Sequence, residues 1–453
     1  MPERAQRLIE AAKRPLPEGT FVVGIGLLIS GLTAYGFQII AQRALTKPEY
    51  TALNGLWVVA FILAPGFFLP LEQEVGRAIA DRRVRGLGGG PVVKRAAIAG
   101  ALLVSSLIAL TLLAQGVLGA ASNTDISDIV FHGKGVLLPC LLIALVTYSC
   151  EHLTRGTLSG NGRFGPYGLI LAAEGIIRVV PCAVLYASGV NDIFWYGLAF
   201  SVPPLAASAI AVRGQRGLLE PGPEAPWSEL SVNLGWLFGG SVLAQALSYS
   251  PVLAVILFAE NAGQRTRAAD FIAGFFIARI PILLFQAVQA ALLPKLARLA
   301  AAGQHADFRN GLRKLLGVVI AIGILGVIGG ATLGPTVGDI LFKNFDLGRR
   351  DLALLAAGSA LFVLALTLAQ ALIALMGHAR ATWCWLLGNV VFWVVAAAST
   401  DNLFLRGELG FVAGGAAAMV CMAWQLVKQI RVGLTDESLA HLVEQIEHEP
   451  LEI

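Results

Sequence analysis

Arg279 lies in FIAGFFIARIPILLF (271–285), where its helical neighbours three and four residues away are Phe275, Phe276, Ile282 and Leu283. An ionised side chain deep in such a run costs at least ~2.5–3.5 kcal/mol and needs a partner or a purpose. Partners within one helix sit at i±3 or i±4, and Arg279 has none there. It therefore pairs with another helix or meets an anion in a cavity, since a guanidinium binds carboxylate or phosphate oxygens through two parallel hydrogen bonds. Glu72 poses the same problem with opposite sign, because Phe68, Leu69, Val75 and Gly76 supply no cation. Glu174 and Arg178 form an i, i+4 pair midway along an apolar stretch. Such a pair remains expensive there unless it faces a wet cavity, so a substrate or coupling role competes with a structural one. Glu151 with Arg155, and the ladder Glu74, Arg77, Asp81, stand near the ends of apolar stretches, where mutual neutralisation at an interface suffices. The candidate binding residues are thus Arg279, Arg178, Arg77 and Arg155, with Glu174, Glu72 and Glu151 as candidate coupling or cavity carboxylates.

Other chemistries find little support. His132, His152, His305, His378, His441 and His448 show neither HxxxH nor HExxH spacing. The five cysteines (Cys140, Cys150, Cys182, Cys384, Cys421) fall inside apolar runs, without metal spacing or a disulfide framework. No metal, cofactor or catalytic residue is expected. The Lys and Arg residues are spread over short loops, which excludes a nucleic-acid module.

The elements that position these charges follow from composition. Of 453 residues 56% are apolar and 14% charged, against roughly 25% charged in soluble domains. Lipid must be part of the solvent. Windows long enough for the hydrocarbon core give about twelve transmembrane helices, at 20–42, 51–76, 96–117, 135–158, 166–188 and 192–212, then 231–258, 268–293, 314–335, 351–376, 381–399 and 408–430. The first is too long for a signal-peptide core and is retained. Lys and Arg concentrate in alternate loops, as in Arg82, Arg83, Arg85, Lys94 and Arg95 or Lys295, Arg298, Arg309, Arg313 and Lys314. The positive-inside rule then puts both termini in the cytoplasm of a bacterial inner membrane.

The chain reads as two copies of one plan. At a constant offset of 217 residues Phe68 meets Phe285, Gly86 meets Gly303, Gly100 meets Gly317, Gly160 meets Gly377 and Arg163 meets Arg380. Because six is even, the halves are parallel, related by an axis along the membrane normal. The expected class is an all-α polytopic membrane protein with two parallel six-helix halves around a central cavity. The divisions are 1–212, a cytoplasmic linker 213–230, 231–432 and a cytoplasmic tail 433–453. Residues 2–14 read as a basic amphipathic surface helix and 434–453 as an acidic helix. The register sets Glu72 against Gln289, ten residues or about 15 Å beyond Arg279, which argues against their direct pairing. Pro65, Pro70, Pro181, Pro203, Pro204, Pro251 and Pro281 interrupt five spans; each removes a helix hydrogen bond, and such breaks flank pathways or merely bend helices.

AQRALTKPEYTALNGLW (41–57) resembles the ARxLGPxxFG signature after the first span of polysaccharide exporters in the multidrug/oligosaccharidyl-lipid/polysaccharide (MOP) superfamily. LLPKLARLAAAGQHADFRNGLRKLL (292–316) and FFLPLEQEVGRAIADRR (67–83) resemble further segments of that group. Thr46-Lys47-Pro48 departs from the usual Gly-Pro. The resemblance spans the chain and implies an O-antigen-flippase-like transporter that carries a polyprenyl-diphosphate-linked glycan from the inner to the outer leaflet. Arg279 and Arg178 would then bind the diphosphate, and Glu174 or Glu72 would modulate it or carry a coupling cation. The implied partners are the lipid-linked glycan, membrane lipids and glycan-assembly enzymes. A multidrug exporter of the same superfamily shares the plan. A major-facilitator transporter fits less well, because Gly76–Arg85 carries one inserted residue and lacks the second Gly of that group's loop motif. A membrane glycosyltransferase or ligase would need acids gathered on a sizeable outside loop, whereas Asp125, Asp128, Asp192, Asp339, Asp346 and Asp401 are dispersed.

Overall fold

The computed structural model describes residues 20–122, 124–230, 234–280, 305–375 and 377–448, with side chains of the last helix described to residue 430. The first half comprises α1 (Thr20–Ala44), α2 (Lys47–Val84), α3 (Gly90–Ser122), α4 (Ile126–Phe131), α5 (Leu137–Gly160), α6 (Phe164–Ala187), α7 (Ile193–Ser201) and α8 (Pro203–Val212). The second comprises α9 (Leu234–Phe258), α10 (Ala262–Ala278), α11 (His305–Thr332), α12 (Gly334–Leu341), α13 (Arg349–Ala374), α14 (His378–Ala398) and α15 (Leu403–His448). Among the described residues there is no strand, and eleven stretches are long and apolar enough to cross a bilayer, α7 and α8 counting as one.

Packing follows one scheme twice. α1 lies against α6 as α9 lies against α14; α3 lies against α5 as α11 lies against α13; the halves meet chiefly through α2 with α9 and α10. Small residues permit the tightest approaches. A Cβ at Gly26 would stand 2.5 Å from the Gly168 carbonyl oxygen, and one at Gly414 2.6 Å from that of Gly388. On the periphery Leu102, Leu110 and Leu113 of α3 and Ile324, Leu325 and Ile328 of α11 are exposed. Contiguous apolar surface of this kind is what lipid covers.

Several boundaries move for identifiable reasons. α2 begins at Lys47 because Glu49 accepts from the Thr46 backbone N–H at 3.3 Å and Pro48 sits in the first turn, where its missing N–H costs nothing. It runs through Pro65 and Pro70 to Val84, well beyond the expected 51–76. The sixth span breaks at Val202, ahead of Pro203 and Pro204, and the Thr147 hydroxyl donates to the Ser201 carbonyl there at 2.6 Å. The loop expected near 118–134 contains α4, capped by Asp125. The eighth span starts at Ala262 rather than 268, and its described helix stops at Ala278, so Arg279 stands just past a helix end and not mid-helix. Pro281, two residues on, has no N–H to offer the Ile277 carbonyl, and Arg279 is a turn residue between Ala278 and the helical Ile280. Pro281 itself, the amphipathic segment 2–14, and Phe285, Gln289 and Gly303 lie outside the described residues. The backbone of α15 continues helical through the expected tail to His448.

Candidate functional site

Between the halves is a cavity of about 320 Å³. α1 and α2 line it with Tyr35, Trp57, Phe61 and Pro65; α5 with Tyr148, Glu151, His152 and Arg155; α6 with Glu174 and Arg178; α9 and α10 with Tyr249, Phe276 and Arg279. Five of the seven sequence candidates therefore share one space.

Its first-half wall is a charged network on two helices. Tyr148, Glu151, His152 and Arg155 fall on one face of α5 through i, i+3, i+4 and i+7 spacing. Glu174 and Arg178 pair along α6; the Tyr148 hydroxyl donates to Glu174 at 3.1 Å, and the Arg178 guanidinium lies 5.4 Å from the Trp57 ring and 5.8 Å from that of Phe200. Glu72 lies just behind the lining. One oxygen accepts from the Tyr167 hydroxyl at 2.7 Å, the other lies 2.7 Å from His152 Nδ1, and Arg155 is 3.3 Å away. Arg155 also meets Glu151 at 3.3 Å and donates to the Tyr167 oxygen at 3.0 Å. The cation that Glu72 lacks within its own helix thus comes from α5. Glu151 Oε2, Arg155 Nε and Arg178 Nε are buried without a hydrogen-bond partner among the described residues. Unspent donors and acceptors on charged groups are what a polar ligand would engage.

The opposite wall carries a different arrangement. Arg279 donates to the Ser248 hydroxyl at 2.8 Å and to the Ser248 carbonyl at 3.2 Å, with its guanidinium 5.0 Å from the Tyr249 ring and 4.9 Å from that of Phe275. Among the described residues no carboxylate lies within ion-pair distance of it. Three guanidiniums and two carboxylates line the cavity and Glu72 behind it supplies a third carboxylate, so the charges match in number, but all three carboxylates are engaged by Arg155 and Arg178 and none by Arg279.

Arg77 sits elsewhere. It pairs with Glu74 at 2.9 Å and donates to the Glu229 backbone carbonyl at 2.7 Å. The expected ladder is split, since Asp81 pairs with Arg85 instead. Next to it Arg82, 1% exposed, holds the linker: it bonds both Glu229 oxygens at 2.7 and 3.1 Å and donates to the carbonyls of Gly88, Pro223 and Glu224.

At the other end of the helices a polar seam joins the halves. Lys47 pairs with Asp270 at 2.7 Å and donates to the Asn344 carbonyl. Gln42 exchanges two hydrogen bonds with the Lys343 backbone, at 2.7 and 2.8 Å, and Arg43 donates to the carbonyls of Ile340 and Leu341. Sequence reasoning missed the seam, the Arg82 clamp, and His152, Tyr148 and Tyr167 in the network. The α5 residues carried a usable signal in their common face. The seam joins residues some 300 positions apart and carried none.

No protein-family model matches the chain. An uncharacterized protein of Mycobacterium tuberculosis and one of Mycobacterium bovis are each 25% identical over 372 residues, covering 79% of this chain and 80% of theirs. Among solved structures, an outward-facing multidrug resistance MATE family transporter of the MOP superfamily superposes with TM-score 0.68 at 15% identity, covering 93% of this chain and 98% of that one. The inward-facing form gives 0.68 at 16%, covering 93% and 97%. A MOP superfamily transporter from Pyrococcus furiosus, for which a reversed pocket polarity suggests a different function, gives 0.66 at 16%, covering 92% and 96%. This chain has the fold of those transporters.

Proposed function

We propose that this protein is a transporter of the bacterial inner membrane that moves a polyprenyl-diphosphate-linked glycan from the inner to the outer leaflet by alternating access. The observation that carries the reading is Arg279, a cation in the central cavity with no carboxylate beside it among the described residues and aromatic rings on two sides. Arg178, on the facing wall, supplies an unpartnered Nε. A diphosphate offers the paired oxygens a guanidinium prefers, and a cavity of this size accommodates a headgroup while the lipid tail stays in the bilayer. Glu151, Glu174 and Glu72 hold Arg155 and Arg178 in place. Residues 1–212 and 231–432 act as the moving halves, joined by 213–230, with both termini and the tail 433–453 in the cytoplasm. Membrane lipids and glycan-assembly enzymes are its partners, and the chain itself performs no covalent chemistry. Export of small molecules is the second reading, favoured by the aromatic lining and the orphaned Glu151 oxygen, which suit an organic cation.

Depletion in the native host, with lipid-linked glycans measured on each leaflet, tests the reading. Accumulation of complete precursor on the inner leaflet, reversed by wild-type protein but not by an equally expressed Arg279→Ala variant, is the expected result. At ~1.5–3 kcal/mol for a lost charged hydrogen bond the variant is expected to lose about tenfold or more in flux. Full transport by the variant removes Arg279 from the site. Altered glycan structure with normal leaflet distribution points instead to a membrane glycosyltransferase or ligase.

A further inference from the structure

Glu408 stands in the second turn of α15, 0% exposed, and neither carboxyl oxygen has a hydrogen-bond partner among the described residues. It lies outside the central cavity. Against Gly358 of α13 lies the Phe411 ring, and against Gly415 lies Leu361. This register sets Glu408 about one helical turn deeper than Asp351, in the first turn of α13.

Asp351 leads from Glu408 to water. It is 9% exposed; one oxygen accepts from Arg350 at 2.9 and 2.6 Å and the other from the Gly348 N–H at 3.3 Å. The Arg350 side chain is 61% exposed. Asp351 and Arg350 are thus the charged groups that α13 brings to this end of α15. The other helices packed on α15 bring apolar residues to this level, Val255 of α9 and Phe271 of α10 against Gly407 and Phe392 of α14 against Gly410, while Arg267 of α10 lies one turn nearer the start of α15, 4.9 Å from the Phe404 ring. Asp270 of α10 is occupied by Lys47. A bare carboxylate without a donor is far less stable here than a neutral acid.

We propose that Glu408, with Asp351 between it and water, is a proton-binding site separate from the arginine-lined cavity, protonated while the seam between the halves is closed and deprotonated when the seam opens. Binding is simple association, a carboxylate plus a proton giving a carboxylic acid. A metal ion would want a fuller set of oxygen ligands, and no group of three or more His, Cys, Asp or Glu suited to one occurs among the described residues. The link to conformation is covalent. Ile340, Leu341, Lys343 and Asn344, which Gln42, Arg43 and Lys47 grip, lead within a few residues to Gly348 and Asp351. Separation of the halves therefore pulls on the segment that shields Glu408. A closed form that holds the proton is favoured at low pH and loses that advantage as pH rises. Driving transport with this proton rests on the transporter reading; the protonation and its link to the seam do not.

Infrared spectroscopy of the full chain in lipid bilayers tests both parts without a substrate. The wild type is expected to show a neutral carboxylic-acid carbonyl band at neutral pH that is absent in E408Q. Should E408Q fail to fold, E408D with isotope-labelled glutamate serves: the band persists but no longer shifts with the glutamate label. Amide exchange of residues 340–344, corrected for intrinsic pH dependence, is expected to rise severalfold from mildly acidic to mildly alkaline pH in the wild type and to stay flat in E408Q or be displaced in E408D. Absence of the neutral-acid band overturns the site. A pH-independent seam in the wild type, or a response to sodium in place of protons, overturns the coupling.

Discussion

Arg178 and Glu174 show how a buried charge is tolerated. Both are almost fully buried, and Glu174 is the carboxylate that compensates Arg178 along α6. Removing one member of such a pair strands the other and costs about 3–5 kcal/mol, whereas replacing both with well-packed apolar groups is often neutral. Glu174→Gln is therefore expected to lower the melting temperature of the purified protein markedly, and Glu174→Gln with Arg178→Met to recover most of the loss. Equal destabilisation by the single and double variants would mean that the pair is not what holds this wall together. Glu72 differs, because His152, Tyr167 and Arg155 all reach it. Loss of one partner there leaves others, so the penalty is shared.

Among the elements, α2 carries most of the division of labour. Its middle lines the cavity, its beginning enters the seam through Lys47, and its end grips the linker through Arg82. The Arg82 hydrogen bond to Glu229 holds that carboxyl below the usual glutamate range. A carboxyl with a lowered folded value lends stability that is present above its ordinary value, about 4.3, and is lost as pH falls through the lowered one. Amide exchange over 213–230 is thus expected to be slow at neutral pH and to quicken under strong acid. Arg82→Ala, by removing charged hydrogen bonds of ~1.5–3 kcal/mol each, is expected to accelerate it roughly ten- to hundred-fold already at pH 7. Unchanged protection in the variant would assign the linker's position to its apolar contacts, where Ala225 and Leu230 pack near Ile79 and Val92.

For the molecule as a whole, the seam is a hold on one conformation. Lys47 and Asp270 join the halves through a pair whose acid is 4% exposed, while the Gln42 and Arg43 bonds depend on the same approach of α1 and α2 to the 340–344 segment. Asp270→Asn is expected to weaken this closure by ~1–3 kcal/mol, a roughly five- to hundred-fold shift toward open seams. Hydrogen exchange at 340–344 would report it, with the interior of α5 as an unaffected reference. An unaltered exchange rate would show that apolar packing of α2 on α9 and α10, not the ion pair, sets the balance.

Composition alone settled the solvent: a chain this apolar must share its surface with lipid, and the spacing of apolar runs then located nearly every span. Charges out of place in those runs marked Arg279, Arg178, Glu174 and Glu72, because the cost of burying an ion does not depend on knowing its neighbours. Arg77, already marked by its ladder partners near the end of an apolar run, belongs to the linker contact, since a residue's distance from water at a helix end depends on how far that helix extends. Glu408, equally buried, escaped notice because it falls within a turn and a half of the start of α15, close to where a sequence boundary puts water. Which charge meets which was decided only by tertiary structure. Helical periodicity fixes the face a residue occupies, whereas Glu72 with His152, Lys47 with Asp270 and Arg82 with Glu229 depend on the packing of helices far apart in the chain.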